Sequence, residues 1–325
     1  MTDSPSPAFF VGIDVCKKYL DLARTDLPGK VQRFENDPAG IAKLIATLRP
    51  TAPACIVLES TGGLERPLLD ALLDASLPAA LVNPGLVRHF AKGLGKLAKT
   101  DAIDAGVLAE FARLANPRLS IKRSEKQVEL EALVTCRRQL MLSQTEQATR
   151  RGATRSKAAL KALEAVLKTL AQQIADLEKQ IRDLISSDDD FGSIDKLLQS
   201  VPGVGPVLSS TLLSELTELG SVDRGTIGSL VGVVPFNNDS GNLKGQRSIF
   251  GGRSDVRGVL YMSTIAAMRC NPIIKAFADR LKAKGKAWKV VVVACMRKLL
   301  SILNAMIRHR LSWSELQIVK NLKTA

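Results

Sequence analysis

Eight apolar residues, Leu160, Leu163, Leu167, Leu170, Ile174, Leu177, Ile181 and Leu184, recur at alternating spacings of three and four. A seam of that period, sustained over about four heptads, predicts a coiled-coil helix. Such a rod in mid-chain divides the 325 residues into an earlier and a later segment, each long enough to bury a core of its own. A helix with a weaker seam (Leu130, Leu133, Leu140) is expected over 125–149 and breaks near Arg151 and Gly152, so the two helices pair as a hairpin. Self-association, spacing between domains and packing back on the same chain all remain open uses for it. Residues 186–192, rich in serine and aspartate, read as the linker that follows. The expected division is therefore an N-terminal domain over 1–122, a connector over 123–187 and a C-terminal domain over 188–325.

The N-terminal segment alternates between period-2 and period-3.6 patterns. Strands are expected at 8–14, 18–25, 31–35, 54–59 and 79–82. A helix opens at Pro38 with Asp37 as its N-cap, and another follows from about residue 64. Three meandering strands, a helix, and further strand and helix units are the element order of an RNase H-like α/β domain. Two of the strands end in acids, Asp14 after Val11-Gly12-Ile13 and Glu59 after Ile56-Val57-Leu58. A lone carboxylate at the end of a buried strand is costly without a partner. Asp101 and Asp104 stand three apart at the start of a helical pattern and share a face. Acids delivered to one point from strand ends and a helix suit hard divalent cations and two-metal phosphoryl transfer. A kinase-like reading of Val11-Gly12-Ile13-Asp14 fails, because Val15-Cys16-Lys17-Lys18 follows where a phosphate-wrapping Gly/Ser/Thr turn is required.

Charge separates the two ends of the chain. Residues 191–325 hold 19 Lys and Arg against 8 Asp and Glu, most of the net +14. A polyanion, nucleic acid before membrane, is the natural partner. The apolar runs near 230–236 and 290–296 fall short of the roughly 20 residues that a bilayer requires. The N-terminal Met1-Thr2-Asp3-Ser4-Pro5-Ser6-Pro7 lacks the basic start and apolar core of a secretory signal. Five scattered cysteines with no Cys-x-x-Cys pair argue for reduced thiols in a cytosol and against a zinc site.

Two motifs lie in the basic part. Val201-Pro202-Gly203-Val204-Gly205-Pro206 has the form of a helix-hairpin-helix element, in which glycines admit a phosphate and the N–H groups opening the second helix bind it without reading sequence. Farther on, a glycine-rich polar run over 235–257 contains Ser240, Ser248 and Ser254 together with Lys244, Arg247, Arg253 and Arg257. Such a loop can bring a hydroxyl and phosphate-binding cations together. With only His89 and His309 in the chain, a Ser-His-Asp triad is not expected, so a nucleophilic serine would need activation by a metal, arginines or a positioned water. A tyrosine nucleophile is the neighbouring alternative. Tyr19 lies in a strand beside Asp14, and Tyr261 lies in an apolar helix, where core packing accounts for it.

Taken in order, Val11-Gly12-Ile13-Asp14, Leu58-Glu59-Ser60-Thr61-Gly62, Lys99-Thr100-Asp101-Ala102-Ile103-Asp104, the coiled coil, the Pro-Gly-Val-Gly turn, Asp239-Ser240-Gly241 and Gly251-Gly252-Arg253 through Arg257 to Tyr261 resemble the DEDD-type transposases of bacterial insertion sequences, which are bridge-RNA-guided serine recombinases. The likeness spans nearly the whole chain. Cys16, where a small residue is usual, is the one mild departure. The resemblance implies that Asp14, Glu59, Asp101 and Asp104 form the Mg²⁺-binding tetrad of a resolvase-like domain. It implies that Ser240 is the nucleophile that forms a covalent phosphoserine link to cleaved DNA. It also implies donor and target DNA and a structured non-coding bridge RNA as partners, and a homo-oligomer, a dimer assembling to a tetramer in which the composite site is built between subunits. The implied location is the bacterial cytoplasm, at the nucleoid when bound to DNA. The rival reading is a metal-only endonuclease or junction resolvase in which water attacks.

Overall fold

The structure, a computed structural model, describes residues 8–96, 101–236, 239–240, 243–245 and 247–317, with backbone alone at 101–102, 239–240 and 243–244. It divides into two compact units, Met1–Arg123 and Ser124–Ala325. In the first, β1 (Phe10–Val15), β2 (Tyr19–Arg24) and β3 (Val31–Glu35) meander antiparallel, and β4 (Cys55–Glu59) and β5 (Ala79–Val82) add in parallel on the other side of β1. The sheet order is β3-β2-β1-β4-β5. Helices α1 (Pro38–Leu48), α2 (Arg66–Asp74), α3 (Pro84–Gly93) and α4 (Asp101–Ala115) supply its layers. Asp37 caps α1 as its sequence predicts, accepting from the Gly40 N–H at 2.7 Å.

Strand alternation gives each sheet face its own core. Val11, Ile13, Val15, Leu20, Leu22, Ile56 and Leu58 pack with Ile41, Leu44 and Leu48 of α1 and Leu68, Leu69 and Leu72 of α2. The opposite face contributes Cys55, Val57, Ala80 and Val82 to a cluster with Val87 and Ala91 of α3 and Val107, Leu108, Phe111 and Ala112 of α4. Gly12 belongs to this second face, and its missing side chain lets α4 lie directly on β1. A Cβ there would stand 2.2 Å from the Ala109 nitrogen and 2.3 Å from the Ala105 oxygen.

The second unit opens with the hairpin α5 (Glu125–Ala153) and α6 (Lys157–Ser186). The two helices pack on one another, with Arg137 donating to Glu178 Oε1 at 2.8 and 2.5 Å. Their base joins the second unit's core: Leu130, Val134, Ile181 and Ile185 are buried in the same cluster as Leu208, Leu212, Val256, Leu260 and Leu303. Residues 186–192 are not the simple linker expected from their composition. Asp188 accepts from the Phe191 N–H and caps α7 (Asp189–Gln199), whose first turn carries Asp189 and Asp190. Acids at a helix N-terminus favour the helix.

The remaining helices are α8 (Pro206–Glu215), α9 (Arg224–Val231), α10 (Ser254–Cys270), α11 (Pro272–Ala283) and α12 (Trp288–His309). By length and composition α12 meets the usual threshold for a membrane-crossing helix, a longer apolar element than the short run at 290–296 suggests. Val291, Val292, Cys295, Leu299, Leu300, Leu303 and Met306 on it are buried in the protein core. All five cysteines are free thiols.

Candidate nucleic-acid-processing site

The register sets Asp14 beside Glu59. Ile13 is the parallel partner of Leu58, so the next residues on the two strands are neighbours, on the α4 face with Gly12 and Val57. Both are half-buried, as is Asp104. Ala105 and Ala109 seat on Gly12, so Asp104 lies within one turn of the point where α4 crosses β1. Asp101 opens α4, on the same helical stripe as Ala105 and Leu108; its side chain lies outside the described residues. Asp14, Glu59 and Asp104 each make a polar interaction. Among the described residues no three His, Cys, Asp or Glu side chains form a metal-binding group by themselves. As a donor set, two strand-end carboxylates with further acids at a helix start fit a hard, oxygen-preferring divalent cation.

Three residues that sequence reasoning did not single out complete the surroundings. Asp21 is the Cα partner of Asp14 across β1 and β2, and Arg33 is the partner of Asp21 across β2 and β3. Arg33 grips Asp21 with Nε at 2.8 Å and a terminal nitrogen at 2.7 Å, and its guanidinium lies over the Tyr19 ring, 4.9 Å from the centroid. The third is Glu65, 1 % exposed, whose Oε2 accepts from the Thr61 and Gly63 N–H groups at 3.0 and 2.9 Å. It holds the Ser60–Leu64 turn that follows Glu59, while the Thr61 hydroxyl donates to the Glu59 carbonyl. The available signal was a carboxylate inside an apolar run, Leu20-Asp21-Leu22, and another two residues after a Gly-Gly pair.

In the second unit the glycine-rich run forms an arm. At its base β6 (Pro235–Phe236) pairs with β9 (Ser248–Ile249), and farther out β7 (Asp239–Ser240) pairs with β8 (Leu243–Lys244). Ser240 is thus the last strand residue before the two-residue connection, partnered with Leu243. The side chains of Ser240 and Lys244 lie outside the described residues. The chain closes on itself where Gly232 meets Gly251 and Gly252; a Cβ on Gly232 would stand 2.2 Å from the Gly251 oxygen. Two of the basic residues expected to contact nucleic acid have partners inside the chain at this closure. Arg253 makes a two-pronged ion pair with Glu218 at 2.7 and 2.8 Å, and Arg257 donates to the Gly251 and Val231 carbonyls at 2.5 and 3.1 Å. Arg247 is exposed.

The helix-hairpin-helix form is present as α7, the Pro202–Gly205 turn and α8. The close approach that Gly203 permits is to α10: with φ +94°, its Cβ would stand 2.5 Å from the Ala267 Cα. Gly205 is the N-cap of α8 and has open space around it. Tyr261 is 42 % exposed, contrary to the core role its sequence setting suggests. The buried stripe of α10 is Val256, Leu260, Thr264 and Ala267, one position away.

Comparison with known proteins agrees with this organisation. The DEDD transposase model of IS110-type elements matches residues 11–154, and the model for the transposase IS116/IS110/IS902 family matches residues 195–279. The chain is 28% identical over 309 residues to the pilin gene-inverting protein of Moraxella lacunata, covering 92% of this chain and 96% of that protein. It is 25% identical to an uncharacterized 42 kDa protein of insertion element IS900 from Mycobacterium paratuberculosis, over 85% of this chain and 89% of that one. It is 23% identical to the transposase for insertion sequence element IS1111A of Coxiella burnetii, over 71% and 70% of the two chains. The chain belongs to the IS110-type transposase family and is a DNA transposase or recombinase.

Proposed function

We propose that this enzyme cuts and rejoins DNA through a covalent phosphoserine intermediate at Ser240, assisted by divalent cations held by Asp14, Glu59, Asp101 and Asp104 in an RNase H-like domain. The observation that carries the reading is the neighbouring of Asp14 and Glu59 on parallel strands, on the face where α4 brings Asp104. A bound Mg²⁺ would neutralise phosphate charge and polarise the phosphorus–oxygen bond. Ser240 Oγ attacks the phosphorus, the bond to the leaving sugar oxygen breaks, and that oxygen takes up a proton. Rejoining reverses the step with the hydroxyl of the exchanged strand as nucleophile. Presentation of Ser240 at the end of a short two-stranded arm suits attack on an extended backbone.

Lys244 and Arg247 on that arm, and the N–H groups opening α8 at Gly205, would hold phosphates without reading bases. Arg253 and Arg257 would set the arm's base. Sequence choice would then fall to a structured non-coding RNA paired with donor and target DNA, with the protein acting as a homo-oligomer, a dimer that assembles to a tetramer. Asp14→Asn tests the tetrad. It should abolish recombination of a DNA substrate supplied with RNA from the flanks of the gene, while thermal unfolding stays at the wild-type temperature. Recombination that persists at wild-type rate would remove Asp14 from the mechanism.

A further inference from the structure

We infer that Asp21 and Arg33, which stand outside the four-acid set, are positioning residues that set the affinity of the Asp14 site for divalent cations. The inference rests on the metal-site reading above. Register puts four charged side chains in one row across four strands: Arg33 on β3, Asp21 on β2, Asp14 on β1 and Glu59 on β4. All four point to the α4 face, because partners across adjacent strands share a face.

Like charges directly opposite one another on paired strands destabilise a sheet. An apolar residue at position 21 would serve folding at less cost, since Asp21 is 3 % exposed and Leu20 and Leu22 on either side of it are core residues. The Arg33 fork makes Asp21 tolerable and also fixes it. Both carboxylate oxygens are held toward β3, at 2.8 and 2.7 Å from guanidinium nitrogens, and the guanidinium is held in turn by the Tyr19 ring. Asp21 therefore stands one strand from Asp14 as a fixed charge whose oxygens are turned toward Arg33.

The two ends of this pair differ in exposure. The Arg33 side chain is 53% exposed and that of Asp21 is 4%. Water screens the cation, whereas the buried anion acts on its neighbours through protein. The pair's own contribution to the field at Asp14 and Glu59 is therefore negative, and it favours a divalent cation there.

Mn²⁺ binding to the purified full-length protein without nucleic acid, followed by electron paramagnetic resonance of the free ion, tests this separately from catalysis. Asp21→Asn preserves size and an acceptor for Arg33 while removing the buried charge; it should weaken Mn²⁺ binding roughly tenfold. Arg33→Gln removes the screened cation while its amide can still donate to the Asp21 carboxylate and keep it charged, so it should bind Mn²⁺ at least as tightly as wild type. A folded Asp21→Asn protein with wild-type affinity overturns the inference, as does Arg33→Gln weakening binding as much as Asp21→Asn. Either result would mark the pair as a fold brace only. If Asp21→Asn yields no folded protein, Arg33→Gln decides alone, wild-type or tighter binding upholding the account and weaker binding overturning it. Asp14→Asn is the control for the underlying site. Undiminished Mn²⁺ binding by that variant, or none by the wild type, would overturn the metal-site reading and this inference together.

Discussion

Gly12 and Ala109 touch backbone to backbone: a methyl group on Gly12 would stand 2.2 Å from the Ala109 nitrogen. That contact sets how closely α4 lies on β1, and so where Asp104 stands relative to Asp14. Gly12→Ala must push the helix outward. Overpacking of this kind costs about 1–3 kcal/mol or more, so urea denaturation should show a lower midpoint. Activity should fall further than the loss of stability accounts for, because the acids move apart.

Glu65 gives a second handle on the same site. Glu65→Ala strips the part-buried N–H groups of Thr61 and Gly63 of their charged acceptor, at roughly 1–3 kcal/mol. Glu65→Gln keeps one acceptor oxygen and should retain most of the stability. Comparing the two by chemical denaturation, with strand cleavage measured alongside, shows whether the turn after Glu59 must be held for catalysis.

The Pro202–Gly205 turn separates packing from binding. Gly203→Ala combines a positive φ with a clash against the Ala267 backbone, and it should lower the melting temperature by several degrees. Gly205→Ala meets open space at φ −110°, so it should fold normally. If the start of α8 holds a phosphate, its added methyl should weaken binding to duplex DNA in a fluorescence-anisotropy titration, with little change in melting temperature.

Asp223 supplies a pH-dependent contribution. Its carboxyl is held below its ordinary value of 3.8, first by the Thr226 hydroxyl and then by the Thr226 and Gly225 N–H groups at the start of α9. A lowered folded-state pKa gives stability that is present above 3.8 and is lost as pH falls through the folded value. Asp223→Ala should therefore melt lower than wild type at pH 7, with the gap narrowing below the ordinary aspartate value. A gap that stays constant down to strongly acidic pH would show that the charge of the cap contributes nothing.

How far these features could be read from sequence depended on how local they were. Asp37 with Pro38, β3 and β5 follow from cap and period signals carried within a few residues, and so do Asp14 and Glu59 at their strand ends. The Asp21–Arg33 pair could not be read that way, because its meaning comes from strand register between residues twelve apart. The two-residue strands of the Ser240 arm are too short to show a period. Asp188–Asp190 has a linker's composition, and its role as a cap is evident only with α7 in place. Tyr261 differs from its buried neighbour Leu260 by one helical position, a distinction that apolar composition does not make.

The central claim, that Ser240 and not water attacks the phosphate, has a direct measurement. Purified protein incubated with substrate DNA, Mg²⁺ and RNA from the flanks of its gene is denatured, digested and analysed by mass spectrometry for a nucleotide-linked peptide. The account predicts an adduct on Ser240 that disappears in Ser240→Ala together with strand cleavage. Mg²⁺-dependent cleavage by Ser240→Ala, with no adduct in the wild type, would contradict it and leave a metal-only nuclease.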